Sequence, residues 1–273
     1  MNKDESTSRL VTSDGVAIAF SAHILEPNRP VLALVHSLGM DHTFWDAVKH
    51  HLDDQVSVVA IDARGHGGSD KGATPLSTER LAQDLSEVLN LLGLDKVVVG
   101  GASMGGCVAL QFAGTFPERT SGLALIDTTA WYGASAQDDW EGRAQKAMAN
   151  GLASLTEFQV TRWFSDGFRQ QQPEKVRHSV DVFLRNELGG YVASCRMLGA
   201  FDGRPLLQEI SVPTSIVVGE EDYAAPVEMS RAMHQAIKGS SLDIVARARH
   251  LTPLEVPEHI TQALVSLCQK VGP

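Results

Sequence analysis

Short apolar runs alternate along this chain with longer stretches of helical periodicity. The runs at 31–36, 56–62, 96–100, 122–127, 214–219 and 242–245 are rich in Val, Leu and Ile and bounded by turn residues, which predicts six strands. Asp14-Gly15 predicts a hairpin between two further short strands near the N-terminus. Between these runs, 44–51, 107–115, 227–237 and 258–271 read as helices. The clearest helix follows Ser77, a natural N-cap: Leu81, Leu85, Val88, Leu89 and Leu92 fall on one face and Gly93 stops it. Alternation of this kind predicts an α/β fold, a mostly parallel central sheet with helices on both faces.

The rhythm breaks between 131 and 205. This segment is helix-rich and holds most of the chain's aromatics, among them Trp131, Tyr132, Trp140, Trp163, Phe183 and Tyr191. It predicts a helical cap inserted between two strands of a core formed by 1–130 and 206–273. Such a cap excludes water and supplies an apolar pocket, although most of these aromatics serve simply to pack it onto the core.

With 273 residues, 43% of them hydrophobic, the chain is long enough for one sizeable α/β core. Its formal net charge of -10 argues against nucleic acid or an anionic membrane surface as partner. The cysteines Cys107, Cys195 and Cys268 are too scattered for a disulfide framework or a zinc site. The polar N-terminus and the lack of a long apolar run predict a soluble, cytoplasmic protein. No metal-ligand spacing or phosphate-binding loop suggests a cofactor: the glycines of Asp62-Ala63-Arg64-Gly65-His66-Gly67-Gly68-Ser69 suit a tight turn, not a phosphate cradle.

The chemistry is concentrated at Gly101-Ala102-Ser103-Met104-Gly105, directly after the strand at 96–100. A serine on a sharp strand-to-helix turn is lifted out of the sheet edge and points at a substrate. A hydroxyl is a poor nucleophile alone and needs a base, itself oriented by a third group. In chains with this elbow the order is serine, acid, histidine. His250, after the last strand, fits the base; His259 reads as a surface position on the final helix. Asp222, in the loop after 214–219, fits the acid, with Asp127 as the rival and Glu220 and Glu221 as solvated loop charges. The oxyanion donors expected are the backbone N–H groups of Met104 and of Leu38, in the loop after 31–35, with His36 bracing that loop.

Together, His36-Ser37-Leu38-Gly39 with Phe44-Trp45, the Asp62 to Ser69 loop, the Ser103 elbow, Gly219-x-x-Asp222 and His250 resemble the α/β-hydrolase superfamily over essentially the whole chain. A closer resemblance is to 3-oxoadipate enol-lactonases. It rests on His36-Ser37-Leu38-Gly39-Met40-Asp41, Gly190-Tyr191-x-x-Ser194-Cys195-Arg196 and His250-Leu251-x-Pro253-Leu254-Glu255-x-Pro257, with His36 standing where those enzymes often carry Asn. This resemblance implies a serine hydrolase of aromatic-compound catabolism that opens a small lactone or ester through an acyl-enzyme. It also implies a cationic anchor for the substrate carboxylate, for which Arg143 and Arg196 are candidates, with Trp140 lining the same pocket. The alternatives are a carboxylesterase or other lactonase, a C–C bond hydrolase of ring-cleavage products, and a non-catalytic ligand-binding relative. The sequence leaves the oligomeric state open.

Overall fold

The computed structural model describes residues 7–25, 29–52, 55–73 and 75–272. Eight strands form one sheet: β1 (Ser8–Val11), β2 (Ala17–His23), β3 (Val31–Val35), β4 (Ser57–Ile61), β5 (Val97–Ala102), β6 (Thr120–Ile126), β7 (Thr214–Gly219) and β8 (Ser241–Val245). Their order is β1-β2-β4-β3-β5-β6-β7-β8. Only β2 runs against its neighbours, pairing antiparallel with β1 and β4; the other neighbours pair in parallel. Gly15, at φ 84°, turns the β1–β2 hairpin.

The helices are α1 (Asp46–Leu52), α2 (Thr78–Leu91), α3 (Met104–Thr115), α4 (Ala136–Asn150), α5 (Thr156–Trp163), α6 (Asp166–Gln171), α7 (Pro173–Leu184), α8 (Leu188–Ala200), α9 (Val227–Ala236), α10 (Thr252–Glu255) and α11 (Pro257–Val271). α2 packs on α3, which lies along β3, β5 and β6, while α1 packs on α11, which lies along β6 and β7. Strands covered in this way read as unbroken apolar runs, because neither side of the pleat meets water. Every residue of β4 and β5 is buried accordingly. Ser77 caps α2 by accepting a hydrogen bond from the Arg80 N–H, and Leu81, Leu85, Val88 and Leu89 turn into the core.

α4 to α8 all lie between β6 and β7. An isolated antiparallel bridge between Trp131 and Asp202, with the Gly203 N–H donating to the Ala130 carbonyl at 2.7 Å, draws the two ends of this insert together. α4 packs lengthwise on α8. Because β3 to β8 run in parallel, the loops after β3, β5, β6, β7 and β8 all emerge at one sheet edge, where ligands bind in open α/β sheets.

Two elements depart from the sequence expectation. The segment before α1 is a 3₁₀ turn (His42–Trp45), started by Asp41, whose side chain accepts from the Thr43 N–H. α3 begins at Met104 and not at 107, leaving Ser103 as the only residue between strand and helix. The first turn of α3 is built from glycines because it is tightly packed: a Cβ on Gly105 would lie 2.0 Å from the Val35 carbonyl oxygen, and one on Gly106 would lie 2.5 Å from the Thr128 side chain.

Candidate active site

Ser103 follows the last residue of β5 and adopts φ 53°, ψ -116°, a conformation rarely open to a residue with a Cβ. The surroundings over-determine it. Its N–H donates to the Ile126 carbonyl at 2.9 Å, and its own carbonyl accepts from Gly106 N–H, Cys107 N–H and the Thr128 hydroxyl. A Cβ on Gly101 would lie 2.1 Å from the Gly105 carbonyl oxygen, so the turn closes only with glycine there.

The loop after β8 brings His250 over this turn. Its Nε2 lies 2.9 Å from Ser103 Oγ and its Nδ1 lies 2.8 Å from Asp222 Oδ2. The other oxygen of Asp222 accepts from Ala224 N–H at 2.7 Å and Ala225 N–H at 2.9 Å. The carboxylate is thus held by two backbone donors and directed at the imidazole, and all three side chains are buried. This arrangement can move a proton from a serine hydroxyl to an imidazole whose opposite N–H is fixed on a carboxylate.

Asp127 follows β6 and occupies a different place. Its carboxylate accepts from Gly219 N–H, Thr252 N–H and the Thr252 hydroxyl, tying β7 to α10. Burial, then the nearby Asp222 charge, push its pKa well above the ordinary carboxylate value. Its hydrogen bonds go to these donors and none to His250, whose carboxylate partner is Asp222.

The loop after β3 supplies the facing wall. His36 is fully buried; its Nδ1 lies 2.8 Å from the Ser37 carbonyl and its Nε2 accepts from Ala63 N–H at 3.0 Å. The Met40 N–H closes a turn onto the Ser37 carbonyl at 3.0 Å. Leu38 lines the pocket in front of Ser103, and Met104 opens α3 behind it. Among the described residues neither the Leu38 nor the Met104 N–H donates to a protein acceptor. Both are free to meet a developing oxyanion.

The pocket over Ser103 is bordered by Ser37, Leu38, Tyr132, Trp140, Arg143, Gln159, Arg162, Trp163, Ala224 and His250, and encloses about 40 Å³. It adjoins an outer chamber of about 600 Å³ that shares Tyr132, Trp140, Arg143, Arg162 and Ala224. Arg143 donates from Nε to the Tyr191 hydroxyl at 2.9 Å and stacks over Trp140, 5.0 Å from the ring centroid. Tyr132 meets Trp140 edge-on, and burial keeps its phenol protonated.

Of the sequence candidates for substrate contact, Trp140 and Arg143 reach this pocket and Arg196 does not. Arg196 is half exposed, pairs with Glu141 at 2.8 Å and borders a separate surface groove beside Lys71 and Met197. Glu221 is a partly exposed loop charge that lies 3.3 Å from Arg249. Arg249 also donates to the Thr161 and Phe164 carbonyls, fastening the histidine loop to the insert. Sequence reasoning missed Arg162 and Gln159. Both sit on the short helix α5, where nothing in the spacing marks an inward-facing polar side chain.

A nucleophile elbow at the C-terminal edge of a mostly parallel sheet, faced by histidine and acid from later loops, defines the α/β hydrolases. The model of the α/β hydrolase fold family matches residues 30–257, and the chain belongs to that family. It is 32% identical over 237 residues to 3-oxoadipate enol-lactonase 1 of Acinetobacter baylyi, covering 86% of this chain and 87% of that one. Among solved structures it is similar to the enol-lactonase from Burkholderia xenovorans, with TM-score 0.91 and 27% identity over 96% of this chain and 100% of that one. It is also similar to an esterase from Thermogutta terrifontis with malate bound, with TM-score 0.90 and 30% identity over 98% and 100% of the two chains. No helix among the described residues is long and apolar enough to cross a membrane.

Proposed function

We propose that this protein is a serine hydrolase that opens a small lactone or ester bearing a carboxylate, in the manner of the 3-oxoadipate enol-lactonases of aromatic catabolism. The observation that carries the reading is the continuous relay from Asp222 through His250 to Ser103, 2.8 Å and 2.9 Å long, facing a pocket with an arginine in its wall.

Ser103 Oγ attacks the carbonyl carbon as His250 Nε2 takes its proton, and Asp222 stabilises the imidazolium that forms. The Leu38 and Met104 N–H groups receive the negative oxygen of the tetrahedral intermediate; one such donor is worth about 10²–10³ in rate. The ring C–O bond then breaks. For an enol lactone the leaving oxygen is an enolate, a better leaving group than an alkoxide, and His250 returns the proton to it. Water, deprotonated by His250, attacks the acyl carbon and frees Ser103, giving a keto acid. The helices of the insert act as a cap over this chemistry, and Arg143 anchors the substrate carboxylate through the guanidinium edge that Tyr191 leaves free.

The test is hydrolysis of 3-oxoadipate enol-lactone, followed by its ultraviolet absorbance beside p-nitrophenyl acetate, with Ser103→Ala as control. Lactone turnover abolished in Ser103→Ala supports the reading. Ester cleavage without lactone turnover replaces the lactone by another ester, as the likeness to the Thermogutta esterase suggests. Full activity in Ser103→Ala overturns the mechanism.

A further inference from the structure

Two arginines meet at the border between the inner pocket and the outer chamber. Arg143 reaches it from α4 and Arg162 from the last turn of α5. Elsewhere in this acidic chain Arg9, Arg64, Arg80, Arg196 and Arg249 each have a carboxylate oxygen within 2.6 to 3.0 Å. Among the described residues Arg143 and Arg162 have none.

Their existing contacts leave donors free. Arg143 uses Nε on Tyr191, so both of its terminal nitrogens remain. Arg162 donates from Nη2 to the Tyr223 carbonyl at 2.6 Å and lies over Phe158, while its buried Nε has no partner at all. Burial, and then the charge of Arg143, disfavour the Arg162 cation. The negative charge that acts on Arg162, Asp222, is already engaged by His250 and two backbone N–H groups. At the chamber rim Asp139 is exposed and accepts from the Ser135 hydroxyl, and the exposed Lys146 stands on the same rim to offset it. Two unpaired like charges in a partly buried wall destabilise the fold unless something negative joins them. One carboxylate balances one guanidinium and leaves the other as it was.

We propose that Arg143 and Arg162 form a subsite for a dianion, so that this hydrolase prefers esters or lactones carrying two ionised carboxylates over those carrying one. The inference rests on the hydrolase reading for what is cleaved, but the subsite itself is a matter of binding. 3-Oxoadipate enol-lactone carries one free carboxylate and engages Arg143 alone; a substrate with a second carboxylate also engages Arg162.

Calorimetric titration of the wild-type protein at fixed ionic strength and pH 7.5 tests it, with succinate, glutarate and adipate set against butyrate, pentanoate and hexanoate. At least one dicarboxylate is expected to bind about tenfold or more tightly than its monocarboxylate counterpart. Arg162→Gln should erase that ratio and Arg162→Lys should keep most of it, with both variants checked for a native melting transition. Equal binding of each pair by the wild type, or an unchanged ratio in a folded Arg162→Gln, overturns the proposal. Because the readout is binding, a failure of acylation at Ser103 would refute the hydrolase reading without touching this one.

Discussion

His250 Nε2 lies 2.9 Å from Ser103 Oγ although 147 residues separate them, and the whole parallel half of the sheet is what brings them together. The imidazole is useful only while its other nitrogen is held by Asp222. Asp222→Asn keeps the oxygen that accepts from Ala224 and Ala225 but offers His250 an amide, favouring the wrong tautomer. We expect kcat for p-nitrophenyl acetate to fall by about 10⁴ with little change in melting temperature. A loss below tenfold would show that another group orients His250, with Asp127 the first to examine.

The φ of 53° at Ser103 stores strain of about 1–3 kcal/mol. Alanine at this position removes the hydroxyl and keeps the strain; glycine removes both. Ser103→Gly should therefore be more stable than Ser103→Ala by about 1 kcal/mol in urea unfolding, after glycine's own entropic cost. Equal stability of the two variants would mean that the elbow is not strained.

Arg64 is almost fully buried between Asp84 of α2, at 2.6 Å, and Asp14 of the β1–β2 hairpin, at 2.8 Å. It ties the loop after β4 to α2 and to the β1–β2 hairpin. Removing the guanidinium leaves Asp84 buried with only Arg80 as a counter-charge. Arg64→Met should cost about 3–5 kcal/mol of unfolding free energy, and an added Asp84→Leu should recover much of it. Urea unfolding of the single and double variants checks both statements.

The loop after β3 carries its own pH dependence. His42 Nδ1 lies 2.8 Å from Asp62, which also accepts from the His42 and Gly68 N–H groups. The hydrogen bond to Asp62 raises the His42 pKa above its ordinary 6.5. Burial alone would raise the Asp62 carboxyl, but the bond from His42 and the histidine charges bring it below 3.8. The histidine contribution to stability is fully present below about pH 6.5 and is lost as pH rises through its raised folded value. The carboxylate contribution is present above about pH 3.8 and is lost as pH falls through its lowered one. The stability gap between wild type and His42→Asn should be widest between these limits and shrink toward pH 9. A gap that widened with pH would contradict the pairing.

The strands, the elbow and the residues of the relay were legible in the sequence because each stands at a strand end, where turn chemistry and chain order constrain it strongly. Ser103, Asp222 and His250 needed no knowledge of packing. The arginines did. Arg196 and Arg143 both lie on the packed pair α4 and α8, yet only Arg143 reaches the pocket. Glu141, the partner of Arg196, precedes Arg143 by two residues; at about 100° per residue the two side chains leave α4 in nearly opposite directions. Arg162 depends on how the short helix α5 is tilted by the Arg249 and Leu251 contacts of the histidine loop, and no local pattern records that. The start of α3 is hidden for a related reason: two adjacent glycines suggest a loop locally, but they stand in the first helical turn because Gly105 lies against β3 and Gly106 against Thr128, too close for a side chain.

In the proposed reaction Ser103 is acylated during turnover. The most direct measurement is an acid quench of the protein with p-nitrophenyl acetate in the first turnovers, followed by peptide mass mapping. An added acetyl group is expected on the peptide containing Ser103, absent in Ser103→Ala and absent once substrate is exhausted. Steady turnover with Ser103 unmodified at every quench time, or equal turnover by Ser103→Ala, would contradict it.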